Sequence, residues 1–369
     1  MGQVRGMGAS GGRPETSGGR AGTSGGRAGT SGGRAGTSGT SGGRAGTSGT
    51  SGGRVGLVLG AGGVVGAAWM TGALQAVQDR LPVPINDVDL IVGTSAGSVL
   101  AAALRCGVSL DEMIALQRGD EVRWLREAGV GDLDEGPLPP RPQWRAGSPR
   151  LILHTLRAPH RVHPGVGASA WLPRGRARHE TLDAMVQALQ QHAPRPVTGW
   201  VDIPTWIVAV DYDSGRRVIF GRDRAPEAEL AEAVVASCSI PGWYVPRDIG
   251  GRRYVDGGVR SPTSLAVLAR AGVAEAYVLA PMASLVTDRP GTRLERLERR
   301  LRALVTRSLL REAQALRAQG IRVTLLTPGP EDLAAMGVNL MEPTRRAATL
   351  ETSLRTSAAA FAASQAQVA

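Results

Sequence analysis

"IVGTSAGSVL", residues 91–100, begins as an apolar, β-branched run and turns at two glycines around Ser95. It continues into "GSVLAAALRCG" (97–107), a stretch of small helix-forming residues. A strand that passes through a tight glycine turn directly into a helix is a unit of layered α/β sheets. Gly93 and Gly97 fit the G-x-S-x-G pattern, in which flanking glycines let the turn close without a Cβ clash and lift the serine oxygen above the sheet. In a chain with 51 glycines the pattern is only moderately specific, so the strand before it and the helix after it carry most of the weight.

The same unit lies just upstream. "VGLVLGAGGVVGAAWMTGALQAVQDRL" (55–81) reads as strand, glycine loop and helix, with Trp69, Leu74 and Val77 near helical spacing. Downstream, the pattern predicts helices over 109–119 (opened by a serine cap and acids), 180–192 and 226–242, and a hairpin over 204–221 that turns at "DSGR". A strand running into a glycine turn (252–259), a helix (264–272), a strand (275–282), an arginine-rich helix (about 291–319), a strand (321–328) and a C-terminal helix complete the chain. Such alternation predicts an α/β domain with a largely parallel sheet. From 120 to 179 the periodicity breaks down into Pro, Arg, Gly and Trp, an insertion readable as a lid or as an irregular surface excursion. In the arginine-rich helix Leu294, Leu297, Leu301, Leu304 and Leu309 line one face. The ordinary expectation is that they pack on the sheet; a basic amphipathic helix on an anionic bilayer is the alternative.

Residues 1–54 cycle through "GGRAGTS" and hold almost nothing apolar, which predicts a disordered low-complexity tail ahead of a domain spanning 55–365. The tail has seven arginines against Glu15, more than half of the chain's net charge of +11. It lacks the aromatic residues that stack on bases, so no nucleic acid is expected as partner. All 43 basic residues are arginine, which excludes a lysine base. Cys106 and Cys238 can form neither a disulfide framework nor a zinc site by themselves, and no metal is expected. No signal peptide is visible, and no apolar stretch approaches the ~20 residues needed to span a bilayer. The expectation is a cytoplasmic protein, with room for peripheral contact at a membrane.

If Ser95 is a nucleophile, it needs a base. The five histidines are His154, His160, His163, His179 and His192. None follows a strand end where a triad histidine would sit, and loop or surface positions are the simpler reading. Asp256 in "YVDGGV" is the alternative: it ends a strand, and Gly257 and Gly258 allow a sharp turn there. By itself Asp-Gly-Gly is more often only a turn. A desolvated carboxylate within hydrogen-bond reach could accept the serine proton. The loop "GAGGVVG" (60–66) follows a strand and opens a helix, so its amides could stabilise an oxyanion or bind a phosphate. A nucleotide-binding G-x-G-x-x-G needs glycine at 65, where Val65 stands; the oxidoreductase reading is therefore weak.

These three motifs, in this order, resemble the patatin-like phospholipases, as does "ASCSIPGWYVP" (236–246). The resemblance implies a three-layer α/β/α domain and a serine lipid acyl hydrolase acting on phospholipid or other acyl esters without a cofactor. It implies Ser95 as nucleophile, Asp256 as base, and amides around Gly62 and Gly63 as oxyanion donors. Gly60, Gly66, Gly93, Gly97, Gly257 and Gly258 would be motif glycines. One departure is Val65, where the family carries a basic residue, and Ala61 replaces a loop glycine. Val65 leaves a second reading open: a lipid-binding protein that keeps the fold with weak or no catalysis.

Overall fold

The computed structural model describes residues 53–129, 141, 143–286 and 288–366, with side chains to 361. Of the tail expected over 1–54, all but Gly53 and Arg54 lies outside them.

In chain order the elements are β1 (Val55–Leu59), α1 (Gly63–Gln78), β2 (Leu90–Thr94), α2 (Ala96–Arg105), α3 (Leu110–Arg118) and α4 (Arg123–Glu127). Then come β3 (Gln143–Ala146), α5 (Pro149–Arg157), α6 (Pro164–Ser169), β4 (Pro173–Arg174) and α7 (Glu180–His192). The hairpin β5 (Thr205–Asp211) and β6 (Arg217–Phe220) leads into α8 (Leu230–Cys238), β7 (Arg247–Ile249) and β8 (Arg252–Asp256). The chain continues through β9 (Glu275–Leu279), α9 (Arg293–Arg317), β10 (Arg322–Leu326), α10 (Pro330–Met336) and α11 (Arg346–Ala366).

The main sheet has eight strands in the order β10-β9-β1-β2-β5-β8-β7, with β6 also on β5. Strands β10, β9, β1, β2 and β5 are mutually parallel, whereas β6 and β8 run against β5. Side chains alternate between two cores. Leu57, Leu59 and Ile91 face α1, α2, α7 and α8, while Val58, Leu90 and Val92 face α9. The result is the three-layer arrangement expected.

β5 positions the site. Ile207 and Val208 pair with β6 on one side and β2 on the other, and Ala209 and Val210 pair with β6 and β8. β2 and β8 therefore share one edge of β5 and approach each other from opposite directions. β2 ends with Thr94 beside Val208, and β8 ends with Asp256 beside Ala209. Two carboxy-terminal strand ends thus meet head to head. Asp256 owes its place to an antiparallel strand, not to the shared end of a parallel sheet.

Several local expectations need correction. α8 is shorter than the expected 226–242, because the Ser239 carbonyl leaves the helix to accept the Asp256 amide at 3.0 Å. The helix expected over 264–272 is a 3-10 segment, Leu265–Arg270. The insertion is not shapeless: α5, α6 and the link between them bury Leu151, Val166 and Val162 against Val210, Tyr212 and Val255. In α9 the leucines do not pack on the sheet as a row. The helix docks through Arg302, Thr306, Leu309, Ala313 and Leu316, and leaves Leu294, Leu297, Leu301 and Leu304 exposed.

Candidate active site

The turn after β2 is as tight as its glycines suggest. A Cβ on Gly97 would lie 2.0 Å from the Leu59 carbonyl oxygen, so only glycine lets α2 start this close to β1. Ser95 itself has φ 54° and ψ −125°, a left-handed backbone that a non-glycine residue holds only under strain. Three contacts fix it. The Ser95 amide donates to Ser237 Oγ at 2.8 Å, Ser237 Oγ donates to the Val208 carbonyl at 2.7 Å, and Ser98 Oγ donates to the Ser95 carbonyl at 2.6 Å.

The Ser95 hydroxyl lies near enough to the Asp256 carboxyl to lower its proton affinity. The Gly258 amide donates to Asp256 Oδ1 at 2.6 Å. Both side chains are almost entirely buried. Burial pushes the Asp256 carboxyl up from the ordinary aspartate range to about 6, although the Ser95 hydroxyl and the Gly258 amide pull it down. A carboxylate so desolvated binds a proton more readily than one in water.

The glycine loop lies beside this pair. A Cβ on Gly258 would come within 3.2 Å of the Ala61 side chain, so the Asp-Gly-Gly turn and the loop touch. The loop is pinned by the Gly60 amide on Leu279 O (3.0 Å) and the Ala61 amide on Pro262 O (2.7 Å). Among the described residues no acceptor takes the amides of Gly62 or Gly63, which open α1 and share the positive end of its dipole. Gly63 has φ +60° and lines the same cavity as Ser95. Ala61 has no positive φ, so losing a glycine there carries no strain. Val65 points into the core, fully buried. The remaining motif glycines, Gly60, Gly66, Gly93 and Gly257, sit where a Cβ would crowd Leu279, Pro281, Ser98 and Val208 respectively.

From Ser95 a cavity of about 200 Å³ runs along α2, walled by Leu100, Met113, Leu182, Met185 and Leu189 and reaching Trp124. His179, on the loop that leads into α7, lines it as well. Its ring stacks on Tyr244 with centroids 3.6 Å apart, and Nε2 lies 3.0 Å from the Cys238 carbonyl. A carbonyl only accepts, so Nε2 carries the proton. Burial lowers this imidazole to about 4, leaving it neutral at physiological pH. Sequence reasoning also missed Ser237; its one signal was the "ASCSIPG" segment. Among the described residues no three His, Cys, Asp or Glu side chains gather to hold a metal ion.

Residues 57–269 match the family model described as patatin-like phospholipase. The chain belongs to the patatin-like phospholipase family. Over 195 residues it is 23% identical to the omega-hydroxyceramide transacylase of Mus musculus, covering 52% of this chain and 25% of that protein. It therefore spans about a quarter of that relative's length. Among solved structures it is similar to VipD from Legionella pneumophila, with 14% identity, a TM-score of 0.35, and 81% of this chain and 67% of that chain covered. For the type III effector protein ExoU the values are 18%, 0.32, 84% and 53%. The matched family segment takes in the glycine loop, Ser95 and Asp256 and stops before α9.

Proposed function

We propose that this patatin-like domain is a serine acyl hydrolase of lipid esters. Ser95 Oγ attacks the ester carbonyl while Asp256 takes its proton. The amides of Gly62 and Gly63 receive the oxyanion, and the alcohol leaves carrying the proton from Asp256. Asp256 then deprotonates a water that attacks the acyl-enzyme, releasing a fatty acid and restoring Ser95. No step draws on a metal or organic cofactor. The observation that carries this reading is the convergence of the β2 and β8 ends on one edge of β5, with Ser95 following the one and the buried carboxyl of raised proton affinity, Asp256, closing the other, at the head of an apolar cavity. Family membership supports the lipid class of substrate. No helix among the described residues is long and apolar enough to cross a membrane; lipid would reach the site from a surface the protein touches.

The murine relative is named a transacylase, so an alcohol in place of water at the second step is the second reading. One experiment addresses both. A fluorophosphonate probe should label the wild type at Ser95 and leave Ser95→Ala unlabelled. Acyl esters should then yield free fatty acid, and a new ester as well if added alcohol competes. A wild type that neither labels nor cleaves would sink the hydrolase in favour of a lipid-binding protein.

A further inference from the structure

Residues 141–179 hold eight arginines and no aspartate or glutamate. All of these arginines except Arg174 are exposed. Among the described residues only Arg150 reaches an acid, Asp213, at 4.0 Å. The segment also exposes large apolar side chains. Trp144 is 102% exposed and Trp171 60%, with Leu172 beside it at 45%. Trp144 lies on β3, and Trp171 and Leu172 directly precede its antiparallel partner β4; Leu153 and Leu156 of α5, which follows β3, are exposed too. Two exposed tryptophans beside one short strand pair are a costly arrangement unless something covers them.

The strand pair is tied to the cavity wall. The Arg176 and Ala177 amides donate to the Trp243 carbonyl at 3.1 and 3.2 Å, and the Val245 amide donates back to Ala177 O at 2.9 Å. Between them, Tyr244 stacks on His179, and both line the cavity that holds Ser95.

We infer that this strand pair and α5 form the surface by which the protein docks on an anionic lipid bilayer. Tryptophan rings enter the interfacial layer, where an amphipathic indole is at home, and exposed guanidinium groups meet lipid phosphates. A second copy of the chain fits poorly, because two acid-free arginine surfaces repel each other. Docking here sets the mouth of the cavity against the bilayer, so a lipid can pass to Ser95 without crossing water. The inference rests on the hydrolase reading in taking a lipid chain as the cavity's occupant.

The test uses the full chain and its Trp144→Ala/Trp171→Ala variant. Sedimentation is measured with vesicles of phosphatidylcholine alone and with an added third of phosphatidylglycerol; hydrolysis of a water-soluble short-chain ester is followed in parallel. The wild type should sediment with the anionic vesicles and hardly at all with the neutral ones. The double variant should bind anionic vesicles at least tenfold more weakly while cleaving the soluble ester at the wild-type rate. That unchanged rate shows the variant folded; loss of ester cleavage in the wild type would instead strike the hydrolase reading and leave the binding result standing. Equal vesicle binding by variant and wild type overturns the inference. So does loss of binding only in Leu297→Gln/Leu301→Gln of α9, or a wild-type dimer that the tryptophan substitutions dissociate.

Discussion

At the scale of single residues, Asp256 is a carboxylate kept out of water where it serves the proposed reaction and burdens the fold. With its folded value near 6, it must lose its proton to act as base. Activity should therefore rise with pH through about 6 and then level off; a rate unchanged down to pH 4.5 would exclude Asp256 as the base. Stability runs the other way. The folded carboxyl holds its proton more tightly than the unfolded one, so its contribution is complete below the unfolded value and lost as pH rises through about 6. Two pKa units correspond to about 3 kcal/mol. Asp256→Asn should be inactive yet gain about that much relative to wild type between pH 4 and pH 8, read by urea unfolding at both. Val65 makes a second case. Its side chain lies in the core, so restoring the family's cation as Val65→Arg buries an unpaired charge at a cost of several kcal/mol. A lowered melting temperature with no faster fluorophosphonate labelling is the expected result.

At the scale of elements, β2 and β8 sharing one edge of β5 brings Ser95 to Asp256, and Ser237 of α8 fastens the joint. Its hydroxyl bridges the Ser95 amide and the Val208 carbonyl. Ser237→Ala leaves both without that partner and frees a strained turn. We expect kcat to fall about tenfold with KM near wild type, since Ser237 fixes the backbone of the proposed nucleophile, Ser95, and is not among the residues lining the cavity. Equal kcat would mean the turn holds without it. The elements themselves were legible where a local signal exists. Ser109 and Glu112 form the capping box that opens α3, α7 keeps its expected bounds, and "DSGR" turns the β5–β6 hairpin. What was illegible depends on long-range contacts. The early end of α8 is set by Asp256, seventeen positions on, and the burial of His179 by Tyr244. The exposed leucine row of α9 follows from buried Arg302 hydrogen-bonding the Pro281 and Ala283 carbonyls, which turns the opposite sector of the helix inward. The order of strands along β5 is likewise not written in any local pattern.

At the scale of the whole molecule, the proposed reaction would leave it to the layers which acyl chains can reach Ser95. One face of α2 carries Ala96, Val99, Leu100 and Ala103 along the cavity. From Ser95 to Ala103 the helix rises about 12 Å, at ~1.5 Å per residue. α3, α4 and α7 close the far side with Met113, Trp124 and Met185. An acyl chain esterified to Ser95 would lie along α2 with its methyl end near Ala103, so the depth of this trough selects for length. Ala103→Phe fills the deep end without touching Ser95, Asp256 or the glycine loop. Cleavage of a butyryl ester should stay near the wild-type rate, while cleavage of a palmitoyl ester should fall by about tenfold or more, because the longer chain must displace packed side chains from the wall. The ratio of the two rates is the quantity to measure, since a general loss of folded protein lowers both alike. If the ratio did not move, the acyl chain would leave the nucleophile by another route, and the cavity along α2 would have to be assigned to some other part of the substrate.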